Sequence, residues 1–142
     1  MRILSFNVTH GSSVCVLNDG HLEFFCKEER ISRVKRDQNP FKSLDLCSKL
    51  NLGPIDHIVY SSPSDNQTDI RGFFHTYTRK KFDKDESYLT YSHHISHAML
   101  AFTNSGFEQA IVVVIDRDGS VIVINDESVA RESESVFLFC KE

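Results

Sequence analysis

Ser92-His-His-Ile-Ser-His-Ala98 is the segment of this chain best placed to do chemistry. His93 and His97 stand four residues apart, so on a helix they project from one face, about one turn from each other. Two imidazoles placed in this way can share one metal ion. Metalloprotease helices use H-E-x-x-H, in which the Glu is the general base. Here His94 occupies that position, so such hydrolytic chemistry lacks its base. His94 falls to one side and reads as a supporting or structural residue. Taken alone, the pair could equally be helix-surface or core histidines.

Asp116 follows a β-branched run and precedes Asp118-Gly119. Carboxylates at the C-terminal ends of strands often face a ligand crevice, although Asp-x-Asp-Gly by itself favours a plain turn. A helix with two His leading into a strand that ends in Asp can bring three ligands together. Mixed nitrogen and oxygen ligation of this kind suits iron, zinc or manganese. His10 sits in a turn, Thr9-His-Gly-Ser12, whose backbone N–H groups could meet a phosphate or oxyanion; a polar surface turn is the plainer alternative. Arg30-Ile-Ser-Arg-Val-Lys-Arg36 could neutralise an anionic substrate or be a solvated face. The chain contains neither a G-x-x-x-x-G-K-[ST] phosphate loop nor a G-x-S-x-G nucleophile elbow.

The elements that must position these residues are legible in outline. Ile3 to Val8, Ser13 to Leu17 and Leu22 to Cys26 read as strands of a meander. Asn18-Asp-Gly-His21 between the last two suits a two-residue type I′ turn. A helix starts at Asn39-Pro-Phe, with Phe41, Leu44, Leu46, Cys47 and Leu50 at helical spacing, and Leu52-Gly-Pro54 stops it. Ile55 to Tyr60 reads as a strand and Asp69 to Phe82 as helical. Ser92 is the expected N-cap and Gly106 the expected end of the His-bearing helix. Gln109 to Asp116 predicts a buried central strand. Val121 to Asn125 and Val129 to Phe139 read as two further antiparallel strands. This order of elements implies an α/β or α+β layer fold with a mixed sheet.

Composition sets the limits. The chain has 142 residues, a net charge of −4, 40% hydrophobic and 25% charged residues, as an ordinary globular chain does. The acidic balance argues against non-specific nucleic-acid binding, which needs a basic face. The longest apolar run, Ala110 to Ile115, is far short of the ~20 residues a membrane helix needs. The first residues are polar too soon for a secretory leader. None of the four cysteines forms a CxxC pair, so reduced thiols in a cytoplasmic protein are expected.

Taken in order, the segments resemble the start of the O-carbamoyltransferases that decorate nodulation factors, cephamycins and aminoglycosides such as tobramycin. The first block is Ile3-Leu-Ser-Phe-Asn7, His10-Gly-Ser-Ser-Val14, Leu17-Asn-Asp-Gly20 and Glu28-Glu-Arg-Ile-Ser-Arg-Val-Lys-Arg-Asp37. The second is His93-His-Ile-Ser-His-Ala98, Ala101-Phe102, Ser105-Gly-Phe107, Ala110 and Asp116-Arg-Asp-Gly-Ser120. The two blocks are far more specific jointly than singly.

The resemblance implies an α/β, ribonuclease-H-like or actin-like lobe, its mixed sheet opened by a three-stranded meander and flanked by helices. It implies transfer of a carbamoyl group from carbamoyl-adenylate to a hydroxyl of a small-molecule acceptor. In the family, carbamoyl-adenylate is made from ATP and carbamoyl phosphate by a further domain. The roles carried over are His93, His97 and Asp116 as ligands of a divalent metal, iron by resemblance. His10 carries over as a catalytic residue and Lys35 as a substrate-binding, anion-contacting residue. Three positions depart from the pattern: Gly11 replaces Asp, Arg117 replaces Gly and Ser120 replaces Glu. Residues 1–142 are expected to form a single N-terminal lobe, truncated relative to the family and completed by a second chain or dimer partner. The competing expectation is a non-catalytic remnant or binding module with at most a weak metal site. Neither nucleic acid nor membrane is expected as a partner.

Overall fold

The computed structural model describes residues 1–9, 11–61, 76–84, 88–90, 92–117, 119–125 and 128–141. It divides into two compact units, the first carrying the elements up to Thr90 and the second those from Ser92 onward.

The first unit is built on β1 (Arg2–Asn7), β2 (Ser13–Asn18) and β3 (His21–Lys27), the expected meander. Asp19 and Gly20 close the β2–β3 hairpin with φ of 47° and 81°, the positive pair that a type I′ turn requires. A short helix, α1 (Glu28–Ser32), is followed by α2 (Phe41–Lys49) and β4 (His57–Ser61). Residues 76–82 are helical (α3), and β5 (Tyr88–Thr90) completes the unit. The rest of the helix expected from Asp69 lies outside the described residues. The sheet order is β3-β2-β1-β4-β5. β1 pairs with β2 antiparallel but with β4 parallel, and β4 with β5 is again parallel. The sheet is therefore mixed, with helices supplied by the crossovers.

Register explains the core. Leu4 lies opposite Val16 and Ile58, and Phe6 opposite Val14 and Tyr60. All six are buried, because alternate residues of paired strands share one face. Leu44 and Cys47 of α2 close over that face, and the Phe6 and Tyr60 rings meet at 5.2 Å. Strand β5 was not apparent in the sequence: three residues are too few to show a period, and parallel pairing on β4 creates the strand.

The second unit holds α4 (His93–Ser105), β6 (Gln109–Ile115), β7 (Val121–Asn125), β8 (Ser128–Arg131) and β9 (Glu134–Cys140). Ser92 caps α4 by accepting the Ile95 N–H at 3.0 Å, and Gly106 ends it at φ 77°. The apolar run from Val129 is not one strand. It breaks at Glu132-Ser133, so that β8 pairs with β7 while β9 pairs with β6, both antiparallel. β6 differs from the expected buried central strand. Among the described residues it pairs with β9 alone and alternates between exposed and half-buried positions, with Val114 buried. Ala98 and Phe102 of α4 are buried, with Phe102 stacked on Phe139 of β9 at 5.2 Å. Ile111, Val113, Ile115, Val136 and Leu138 are exposed; all five belong to the opposite face of the ribbon. No helix among the described residues is long and apolar enough to cross a membrane.

Candidate metal centre

The N-terminal turn of α4 and the end of β6 bring three of the sequence-selected residues together. His93 Nε2 lies 3.0 Å from Asp116 Oδ2 and 3.0 Å from His97 Nε2. His97 Nε2 lies 3.8 Å from Asp116 Oδ2. One ligand atom from each residue falls within 4.8 Å of the others. The helix contributes because residues i and i+4 share a face. The strand contributes because the backbone N–H of Asp116 donates to Ser133 O at 3.0 Å, which fixes where the chain leaves the ribbon.

Each neutral imidazole carries one ring proton. A hydrogen bond from His93 Nε2 to Asp116 uses that nitrogen's proton and leaves His97 no lone pair to donate to. The reverse arrangement turns the His93 lone pair toward a carboxylate oxygen. A cation among the three satisfies every lone pair at once. Metal bonds to His nitrogen and carboxylate oxygen are about 2.0–2.2 Å, so neighbouring ligand atoms belong about 3–3.5 Å apart, as the two shorter separations are. The residues fit a divalent cation with mixed ligation.

The electrostatics agree. The hydrogen bond with His93 comes first in holding the Asp116 carboxyl below the usual carboxylate range, followed by the Arg117 N–H, which donates at 2.7 Å. The trio is half-exposed, and open to solvent at His97.

His94 has a different role from its neighbours. It is fully buried, its Nδ1 is 2.8 Å from Ser135 Oγ, and its Nε2 has no partner among the described residues. Beside it lies Glu132, 7% exposed. Its carboxylate accepts from Ser92 Oγ at 2.7 Å, from Ser120 N at 3.0 Å and from His94 N at 3.4 Å. Burial pushes this carboxyl up, but the Ser92 hydroxyl and the two backbone N–H groups outweigh it, and the net shift is downward. Ser120 Oγ in turn accepts from His93 N at 2.9 Å. Nothing in the sequence marks Glu132, because its partners lie 12 to 40 residues away.

The remaining candidates lie in or near the first unit. His10 lies outside the described residues. Ser12, two residues on, is held by three hydrogen bonds: its N and Oγ donate to Asp37 O at 3.1 and 2.9 Å, and Glu28 N donates to its O at 2.9 Å. Ser12 is thereby tied to both ends of the segment Glu28 to Asp37. Lys35 is exposed in the bend that follows α1, between Arg33 and Arg36, whose φ values are 62° and 58°. Gly11 has φ +79°, a backbone that favours Gly over the Asp of the family pattern.

The chain is 29% identical over 138 residues to the nodulation protein NolNO of Sinorhizobium fredii (strain NBRC 101917 / NGR234). The recognition drawn from the two sequence blocks is borne out. The match covers 78% of this chain but only 20% of that relative, so the chain spans about a fifth of its length. No family model matches the chain.

Proposed function

We propose that this chain is the N-terminal, ribonuclease-H-like and actin-like part of an O-carbamoyltransferase, and that His93, His97 and Asp116 form its metal site. The observation that carries this is the convergence of those three residues in a chain similar to a nodulation protein. The meander that opens into parallel pairing supports the fold assignment.

The reaction joins an acceptor hydroxyl oxygen to the carbamoyl carbon. The bond from that carbon to the adenylate phosphate oxygen breaks, and AMP leaves with the electron pair. A divalent cation, iron in this reading, held by His93, His97 and Asp116 would polarise the carbamoyl carbonyl. His10 accepts the hydroxyl proton as general base. Lys35 meets the anionic donor with a point charge. Carbamoyl-adenylate comes from ATP and carbamoyl phosphate through polypeptide beyond this lobe, whether on the same chain or a partner. The cytoplasm, where both are available, is the compartment this chemistry calls for.

The test is carbamoyl transfer from carbamoyl phosphate and ATP to a hydroxyl acceptor. It is run with this chain alone and with the polypeptide that corresponds to the remainder of the relative. Turnover is expected only in the second arrangement, and folded protein without turnover in either would overturn the reading. Arg117, a bulky cation at a position where the family pattern has Gly, favours a second reading as a non-catalytic binding module. That reading predicts metal uptake without turnover in both arrangements.

A further inference from the structure

We propose that Glu132 is the positioning residue of the candidate metal site, an assignment that rests on the metal reading of His93, His97 and Asp116. The trio spans two separate pieces of chain, the first turn of α4 and the loop that leaves β6. Something must hold these two pieces in register, and Glu132 contacts both. On the helix side its carboxylate accepts from Ser92 Oγ and His94 N, either side of His93 in sequence. On the loop side it accepts from Ser120 N. Its backbone repeats the connection: Gly119 N donates to Glu132 O at 2.7 Å and Glu132 N donates to Ser120 O at 3.0 Å. The chain of contacts ends on a ligand, because Ser120 Oγ accepts the N–H of His93.

Burial makes this arrangement rigid. A buried carboxylate is stable only with its lone pairs satisfied, and Glu132 has donors from three different residues. Gly119 is the space that permits it. A Cβ there would lie 2.5 Å from Glu132 Cβ and 2.8 Å from His94 Nε2, so any larger residue would push the loop off the carboxylate. Groups that orient metal ligands commonly change affinity 10- to 100-fold when removed.

The experiment uses the 142-residue chain with Glu132→Gln, Ser120→Ala and, as a control on the exposed part of β9, Glu134→Gln. Circular dichroism checks folding, Co(II) alone is titrated by its visible absorption, and ring ¹⁵N shifts of the histidines are recorded without metal at fixed pH. Glu132→Gln is expected to weaken Co(II) binding about 10- to 100-fold. It is also expected to move the His93 and His97 ring signals while those of His21 and His57 stay in place. Ser120→Ala should do the same more mildly, and it keeps the test decisive if Glu132→Gln does not fold. Unchanged ring signals and unchanged Co(II) affinity in folded variants would overturn the assignment. If the unaltered chain takes up no Co(II), the metal reading fails, and the ring signals still decide whether Glu132 orders the trio.

Discussion

Three histidines within five residues do two different jobs, and side-chain direction separates them. His93 and His97 point to Asp116, whereas His94, one residue on, is turned into the interior and meets Ser135. Substitution should separate binding from stability. His97→Ala and Asp116→Asn are each expected to abolish the Co(II) binding of the unaltered chain with little change in melting temperature, read by absorption titration and thermal denaturation. His94→Ala is expected to lower stability by about 1–3 kcal/mol through lost packing and an orphaned Ser135 hydroxyl, measured by urea unfolding. His93 holds the Asp116 carboxyl below the usual carboxylate range, so this side chain keeps the charge a cation needs further into acid than an ordinary aspartate does.

Among the elements, α2 depends on a distant carboxylate for its start. Its N-cap is Pro40, which offers no side-chain hydrogen bond. Glu28, 2% exposed, accepts instead from Lys42 N at 3.0 Å and Ser43 N at 2.8 Å. Negative charge at a helix N-terminus also complements its dipole. Glu28→Ala is expected to cost about 2–3 kcal/mol, since hydrogen bonds to a charged group are worth about 1.5–3 kcal/mol; urea unfolding of the chain reads it. Asp45 links α2 to α3 through Lys81 and pairs within α2 with Lys49; the hydrogen bonds from Lys49 and Lys81 lower its pKa to about 2. A carboxyl whose folded value is depressed stabilises above its unfolded pKa, near 3.9, and loses that contribution as pH falls toward 2. Asp45→Asn should therefore lower the melting temperature slightly at pH 7 and leave it unchanged near pH 2.

The whole chain presents one large feature that composition did not foreshadow. Ile111, Val113, Ile115, Val136 and Leu138 line an exposed apolar face of the β6–β9 ribbon, and β9 has one strand neighbour among the described residues. Contiguous exposed apolar surface of this sort binds hydrophobic dyes and promotes association. Ile111→Lys combined with Leu138→Lys is expected to reduce dye fluorescence and raise solubility while leaving the melting temperature within about 2 °C, because neither side chain enters the core. An unchanged dye signal would show that this face is covered in solution.

Local chemistry made much of this protein legible from its residues. Asp19-Gly20 marks its turn through positive φ, Ser92 and Gly106 bound α4 through capping, and spacing of four puts His93 and His97 on one face. Short apolar stretches either side of that turn located the meander, whereas the buried row from Leu4 to Tyr60 followed only from the strand register. The tertiary structure alone decided the rest. It broke the Val129 run so that β9 could pair with β6, placed β5 beside β4, exposed one face of a strand that reads as central, and brought Glu132 under the helix start. These outcomes depend on pairings across tens of residues, whose partners no local period or propensity can name. The trio lies between the two cases: the His pair is a property of one helix, but its meeting with Asp116 depends on where β6 and Glu132 hold the loop.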